Sequence, residues 1–467
     1  MKALQILDEN RLFPAEPALR EVAAELYDLA KDLPITSPHG HVNPEVLARN
    51  EPFANPAELF IYYDHYVFKL LHASGYSLDF INRNGTDEQA RAAWRLLCQN
   101  WHLLAGTSSG YWLNHELASL FEVYQTPSEA NADELYDHIS ALLATPEFLP
   151  RALFQQFNIA VLATTDDPID DLKFHKQLAD DPTFVGRVAP TFRPDAYLDP
   201  RAIHWKQNVG KLIESAGLAE VSYKAFIQAL TIRRSYFVAN GGFSVDHGVL
   251  EPYTADLSDD LAGQYFESAL AGTISAEEAR EFAGHMLTVS AGMSCQDGLV
   301  MTLHAGVVRN HSTATFESFG PDSGHDIPVT CEFTNNLRPL LQKYGLNPNL
   351  HLILFSLDET NWSREIAPLA GFYPSVFIGA PWWFLDAPDS FQRFRSATVE
   401  TAGYYRGSGF IDDTRAFLSI PARHDMARRS DASFLARLVV EGRVTLEQAR
   451  KIMVDTVISI PAKAFKL

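Results

Sequence analysis

A chain of 467 residues with 46% hydrophobic content can bury a large core, and the lack of any low-complexity tract argues against disorder. Lys and Arg total 38 against 58 Asp and Glu, a formal charge of -20 that excludes nucleic acid as the main partner, because phosphate binding needs a basic footprint. Cys98, Cys295 and Cys331 form no CxxC pair and no stretch reaches the roughly 20 apolar residues of a membrane span, so a reducing, cytoplasmic setting is expected.

Eight short apolar or β-branched runs punctuate the chain, each ending in polar or ionisable residues: 34–38, 159–165, 187–192, 243–245, 299–303, 351–357, 375–379 and 409–411. Segments of helical periodicity separate most of them, such as PIDDLKFHKQLADD and RRSDASFLARLVVEG. Strand and helix in alternation predict a parallel sheet, and eight units predict a TIM-like (β/α)8 barrel of the α/β class. The spacing is uneven. Residues 1–43 are expected to hold N-terminal helices and the first strand, and 44–155 a helical insertion at the C-terminal mouth. The remainder of the barrel is expected over 156–467, with a smaller helical insertion near 253–295.

The run ends carry the chemistry. The first closes in Ser37-Pro38-His39-Gly40-His41, and residues two apart on an extended chain point the same way, so both imidazoles can face one metal ion. The last closes in Ile411-Asp412-Asp413-Thr414-Arg415, where Asp413 can complete a His-His-Asp set or cap the following helix. Between them, Arg193 follows the third run, Asp246 and His247 the fourth, and His304 and Arg309 the fifth, so ionisable groups converge on one end of the barrel. Within the insertion, His65 can hold an anion and Tyr66 can give or take a proton. Trp382 and Trp383 follow the seventh run and can wall a sugar pocket or pack beneath the insertion.

The ordered set HxH, DHY, ATTDDPIDDLKFHK, PTFRPD, DHG, LHAGVVRN, FGPDSGHD, WWF and DDTRAFLS…RH resembles the uronate isomerase family of the amidohydrolase superfamily. The resemblance implies one divalent metal ion, usually zinc, on His39, His41 and Asp413. It also implies a substrate site containing His65, Tyr66, Arg193, Asp246, His247, His304 and Arg415. The implied reaction converts D-glucuronate to D-fructuronate and D-galacturonate to D-tagaturonate. A route through an enediolate would use Asp413, or a water at the cation, as base, with Tyr66 moving the hydroxyl proton. Arg193 and His65 would fix the substrate carboxylate, and Arg415 would stabilise the enediolate. The partner expected is a small hexuronate, with neither nucleic acid nor membrane involved and with assembly into a homo-oligomer.

The sixth run departs from the family pattern. It ends Ser356-Leu357-Asp358-Glu359-Thr360-Asn361, where an arginine-bearing turn is common, and the nearest arginine is Arg364. The alternative function is a metal-dependent hydrolase or decarboxylase on the same barrel. Such enzymes commonly add a histidine after the sixth run and a lysine after the fourth, and neither is present. A non-catalytic sugar-acid binding protein is the third reading, which leaves the metal set and the ionisable run ends without a purpose.

Overall fold

Each parallel strand alternates its side chains between two environments, and that alternation builds the molecule. The structure is a computed structural model that describes residues 8–81 and 83–467. Ten strands occur among them: β1 (Ile35–Ser37), β2 (Ile159–Ala163), β3 (Arg187–Ala189), β4 (Thr191–Phe192), β5 (Ser244–Val249), β6 (Val300–Ala305), β7 (Val307–Val308), β8 (Ile327–Pro328), β9 (Leu352–Ser356) and β10 (Val376–Ile378). On β6 and β9, Met301, Leu303, Leu352 and Leu354 face the surrounding helices, while Val300, Ile353 and Phe355 fill the bore. Removing one such side chain from water contributes about 1.5–3 kcal/mol.

The sheets run β1-β2-β3 and β4-β5-β6-β9-β10, all parallel, and β7 with β8 forms a separate antiparallel pair. The third expected strand is broken at Pro190, which has no N–H to give to a ladder. Its two pieces still join the sheets: Thr164 N–H donates to Ala189 and Asp166 N–H to Thr191, at 3.0 Å each. The fourth strand is longer than the sequence suggests, because Asp246 and His247 continue the ladder opposite Thr302 and Leu303. The architecture is therefore α/β with a TIM-like barrel.

The eighth expected strand, 409–411, is not a ladder strand. Gly409 sits at φ 74° against Pro461, and such a conformation interrupts extension. Backbone bonds seal the gap instead: Ser408 N–H donates to Ile378 at 2.8 Å and His41 N–H to Thr414 at 2.9 Å.

Between β1 and β2 the chain is helical, including His65–Ala73, Asp87–Gln99, Ser108–Phe121 and Ala132–Leu143. These helices share a core with Ile35, Leu162 and Phe417 around Phe60, Trp94 and Phe121. After β5, helices Asp259–Ala271 and Ala276–Asp297 cover the sheet. The latter begins with a capping box of Ser275 and Glu278, which satisfies backbone donors at its first turn. All three cysteines are free, and no helix among the described residues is long and apolar enough to cross a membrane.

Candidate active and metal site

The groups expected to hold a cation meet where β1 runs out and the eighth position fails to become a strand. His41 Nε2 lies 3.0 Å and His39 Nε2 3.4 Å from Asp413 Oδ1. Asp413 occupies the left-handed region at φ 41°, a conformation that Asp tolerates better than most residues, and this turns its carboxylate onto the histidines. Burial opposes charge on Asp413, but His39 and His41 hold its carboxyl well below the usual carboxylate range. Burial also presses both imidazoles towards neutrality. His41 falls to about 4, whereas Asp246 and Asp413 outweigh burial at His39 and raise it.

His304 joins this group. One ligand atom each from His39, His304 and Asp413 lies within 4.8 Å of the others, and the rings of His39 and His304 stack at 4.7 Å. His304 Nδ1 is 2.7 Å from Asp246 Oδ1, while its Nε2 is buried without a hydrogen-bond partner. A carboxylate fixing one ring nitrogen while the other is left open is the usual support of a metal-binding histidine. Imidazole nitrogens beside a carboxylate oxygen suit a divalent cation, so the residues present fit a metal ion.

Asp246 itself does not line the cavity. It is buried behind His304, accepts a hydrogen bond from Thr302 Oγ1 at 2.8 Å, and lies 3.5 Å from Arg193 Nε. His247, expected beside it, faces the opposite way. Adjacent residues on a strand point to opposite faces, and His247 is paired in register with outward-facing Leu303. Both of its ring nitrogens are buried without partners, and burial lowers its pKa to about 3.

Above the metal group lies a cavity of about 310 Å³ reached by His41, His65, Tyr66, Arg193, Arg309 and Arg415. Asp64 caps the helix His65–Ala73 through Tyr66 N–H at 2.9 Å, which sets both functional side chains at the helix start. The His65 and Tyr66 rings stack at 4.7 Å. Burial, with Arg415 nearby, lowers His65 to about 3, and burial raises Tyr66 well above its ordinary value. At the pH of ordinary assays, one ring is thus a neutral imidazole and the other a protonated phenol. Trp383 packs edge-on to His65 and Trp382 edge-on to His304, so both tryptophans wall the site.

Every arginine lining the cavity has a carboxylate. Arg193 Nε is 3.0 Å from Asp195, Arg309 Nη1 2.9 Å from Asp326, and Arg415 Nη2 3.1 Å from Asp322. Arg423, fully buried, holds Asp386 at 3.0 Å and the backbone carbonyl of Asp412, and its guanidinium lies 3.6 Å from the Trp112 ring centroid. Asp322, Asp326 and Arg423 were not among the expected site residues. The motifs FGPDSGHD and RH contain them, but spacing alone assigns them no direction. Arg364, the arginine nearest the altered sixth run, turns away to Glu365 and Asn361.

Comparison with known proteins gives a consistent picture. A glucuronate isomerase family model matches residues 13–465. A uronate isomerase from Corynebacterium efficiens is 47% identical over 460 residues, 98% of each chain. The crystal structure of a glucuronate isomerase from Caulobacter crescentus superposes with a TM-score of 0.96 at 45% identity, covering 98% of this chain and 97% of that one. A uronate isomerase structure from Thermotoga maritima gives 0.92 at 27% identity, covering 98% and 99%.

Proposed function

The chain belongs to the glucuronate isomerase family and isomerises uronates, and from that premise we propose that it interconverts D-glucuronate with D-fructuronate and D-galacturonate with D-tagaturonate through an enediolate. The observation that carries this reading is one cavity that brings His41 and Asp413 of the cation group together with four arginines and a buried tyrosine. The ion at His39, His41 and Asp413 is read as a single Zn, with His304 as a further donor in reach. When bound, it supplies Lewis-acid polarisation of the sugar's carbonyl and hydroxyl oxygens.

The chain's own groups divide the remaining work. Asp413, held ionised, is the base that takes the proton from C2 and returns it to C1. Tyr66, held protonated by burial, donates its proton to the carbonyl oxygen at O1, and the phenolate so formed takes the proton from O2 as C2 becomes the ketone. The arginine roles expected from the family resemblance are exchanged on electrostatic grounds. Arg193 lies beside Asp246 and acts on His39, so it belongs to the reacting end and offsets the developing enediolate charge. Arg415, at the mouth beside His65, receives the C6 carboxylate, with Arg309 adding charge and the tryptophans excluding water.

We read residues 44–155 as the lid over this mouth, supported by its delivery of His65 and Tyr66 to the cavity. A cytoplasmic setting is supported by the free cysteines. Assembly into a homo-oligomer is part of the same proposal. A hydrolase reading gains no support at the end of β9, which offers Ser356 where such enzymes place a histidine.

The test is incubation of metal-quantified protein with each uronate, followed by proton NMR in deuterated water. Ketose bearing deuterium at C1 is expected. Absence of turnover with the metal in place would overturn the substrate assignment. Ketose without solvent deuterium would count against an exchanging base.

A further inference from the structure

Among the carboxylates paired with arginines of the cavity, Asp322 stands apart. Asp195 is tied to Arg193 and accepts Gly248 N–H; Asp326 is tied to Arg309 and accepts Asn310 N–H at 2.7 Å; Asp386 is fully buried with Arg423. Each of those is held by two groups or by burial. Among the described residues Asp322 has one ion-pair partner, Arg415, at 3.1 Å, and its side chain is 42% exposed. Burial raises its pKa, but Arg415 and Arg309 outweigh this and keep it ionised.

Its backbone is set for this position. Asp322 sits at φ 58° between Gly320 and Gly324, both also at positive φ. Gly324 is pressed onto the helix that begins with His65, where a Cβ would come within 2.9 Å of Lys69 and 3.2 Å of Phe68. The turn is therefore anchored against the element carrying His65 and Tyr66, and one carboxylate is left reaching into the cavity. A carboxylate on Arg415 occupies the same electrostatic place as the carboxylate of an incoming sugar acid.

We propose that Asp322 is a stand-in anion for the empty site: it holds Arg415 in its binding geometry and is displaced by the carboxylate of the substrate. This rests on the assignment of Arg415 to the substrate carboxylate. Even against the formal charge of -20, an unpaired guanidinium at an open mouth would attract other anions, and an internal partner reduces that occupancy. The cost is apparent affinity, because the substrate binds only the fraction of sites from which Asp322 has withdrawn.

Asp322→Asn tests the idea, since Asn keeps the shape and tolerates the left-handed backbone. The KM for D-glucuronate is expected to fall about three- to tenfold, the range for releasing a half-exposed ion pair and removing a like charge beside an anion. Inhibition by D-glucarate, an unreactive dianion, is expected to tighten in proportion, and inhibition by uncharged D-glucose to stay unchanged. A raised or unchanged KM, or equal effects on both inhibitors, overturns the proposal. If Asp322→Asn does not fold, Asp322→Gly accepts the same backbone and gives the same readout. Failure of the wild-type protein to turn over D-glucuronate would instead remove the functional assignment, so the two failures are distinguishable.

Discussion

The sheet β4-β5-β6-β9-β10 and the seam that closes the ring between β10 and β1 are held by different means. The sheet is a continuous parallel ladder, whose side chains are sorted by the period of two into bore and outer layer. The seam has one isolated bridge, two backbone hydrogen bonds and two residues at positive φ, Gly409 and Asp413. Yet the seam carries the carboxylate of the metal group, and the ladder brings His304 to meet it. The lesson is that regular pairing fixes a scaffold to which reactive groups are referred, and irregular backbone aims the groups that regular geometry cannot.

The contrast can be broken from the seam first. Asp413→Asn keeps the backbone preference but removes a charged ligand and the proposed base, and should lower kcat by about a thousandfold. Metal content measured on the same sample should fall, and a variant retaining full metal and activity would remove Asp413 from the site. Breaking the ladder should damage stability and spare chemistry. Leu354→Ala, in the outer layer of β9, should cost about 2–5 kcal/mol in denaturant unfolding while the folded protein keeps its kcat. Two adjacent positions on β5 sharpen the comparison further. Asp246→Asn loosens the ring of His304 and should reduce metal affinity or activity about 10- to 100-fold. His247→Phe removes two unpartnered nitrogens from the outer layer, so activity should stay within about twofold and stability should hold or rise. Equal losses at 246 and 247 would contradict the opposed facing of the two side chains.

Much of this was legible in the sequence, for identifiable reasons. His39 and His41 were readable because the period of two holds just beyond β1. The helices after the first run announced themselves by periodicity, whereas the cap that Asp64 places before His65 shows only in the structure. The same period, applied strictly, would have separated Asp246 from His247; grouping them as one motif hid the alternation. The interruption at Pro190 was visible in principle, whereas the failure of 409–411 to pair depends on Gly409 meeting Pro461, a contact between distant segments. Asp322 and Asp326 escaped assignment because they lie on a turn whose direction is set by packing on the helix His65–Ala73. Arg423 escaped because a helix interior gives no sign that a guanidinium will be buried beneath an aromatic ring.

The hydrogen bond from His41 to Thr414 spans nearly the whole chain, and the helix Pro17–Asp28 likewise packs on Ile420–Val440. A ribosome releases His39 early and Asp413 late, so a nascent chain holds half of its cation site for most of its synthesis. Contacts this far apart in sequence form slowly, because a long loop must close before they contribute. A cation held between His39 and Asp413 would therefore report the completion of folding, and a pulse of cation during refolding would read the time at which the two ends meet.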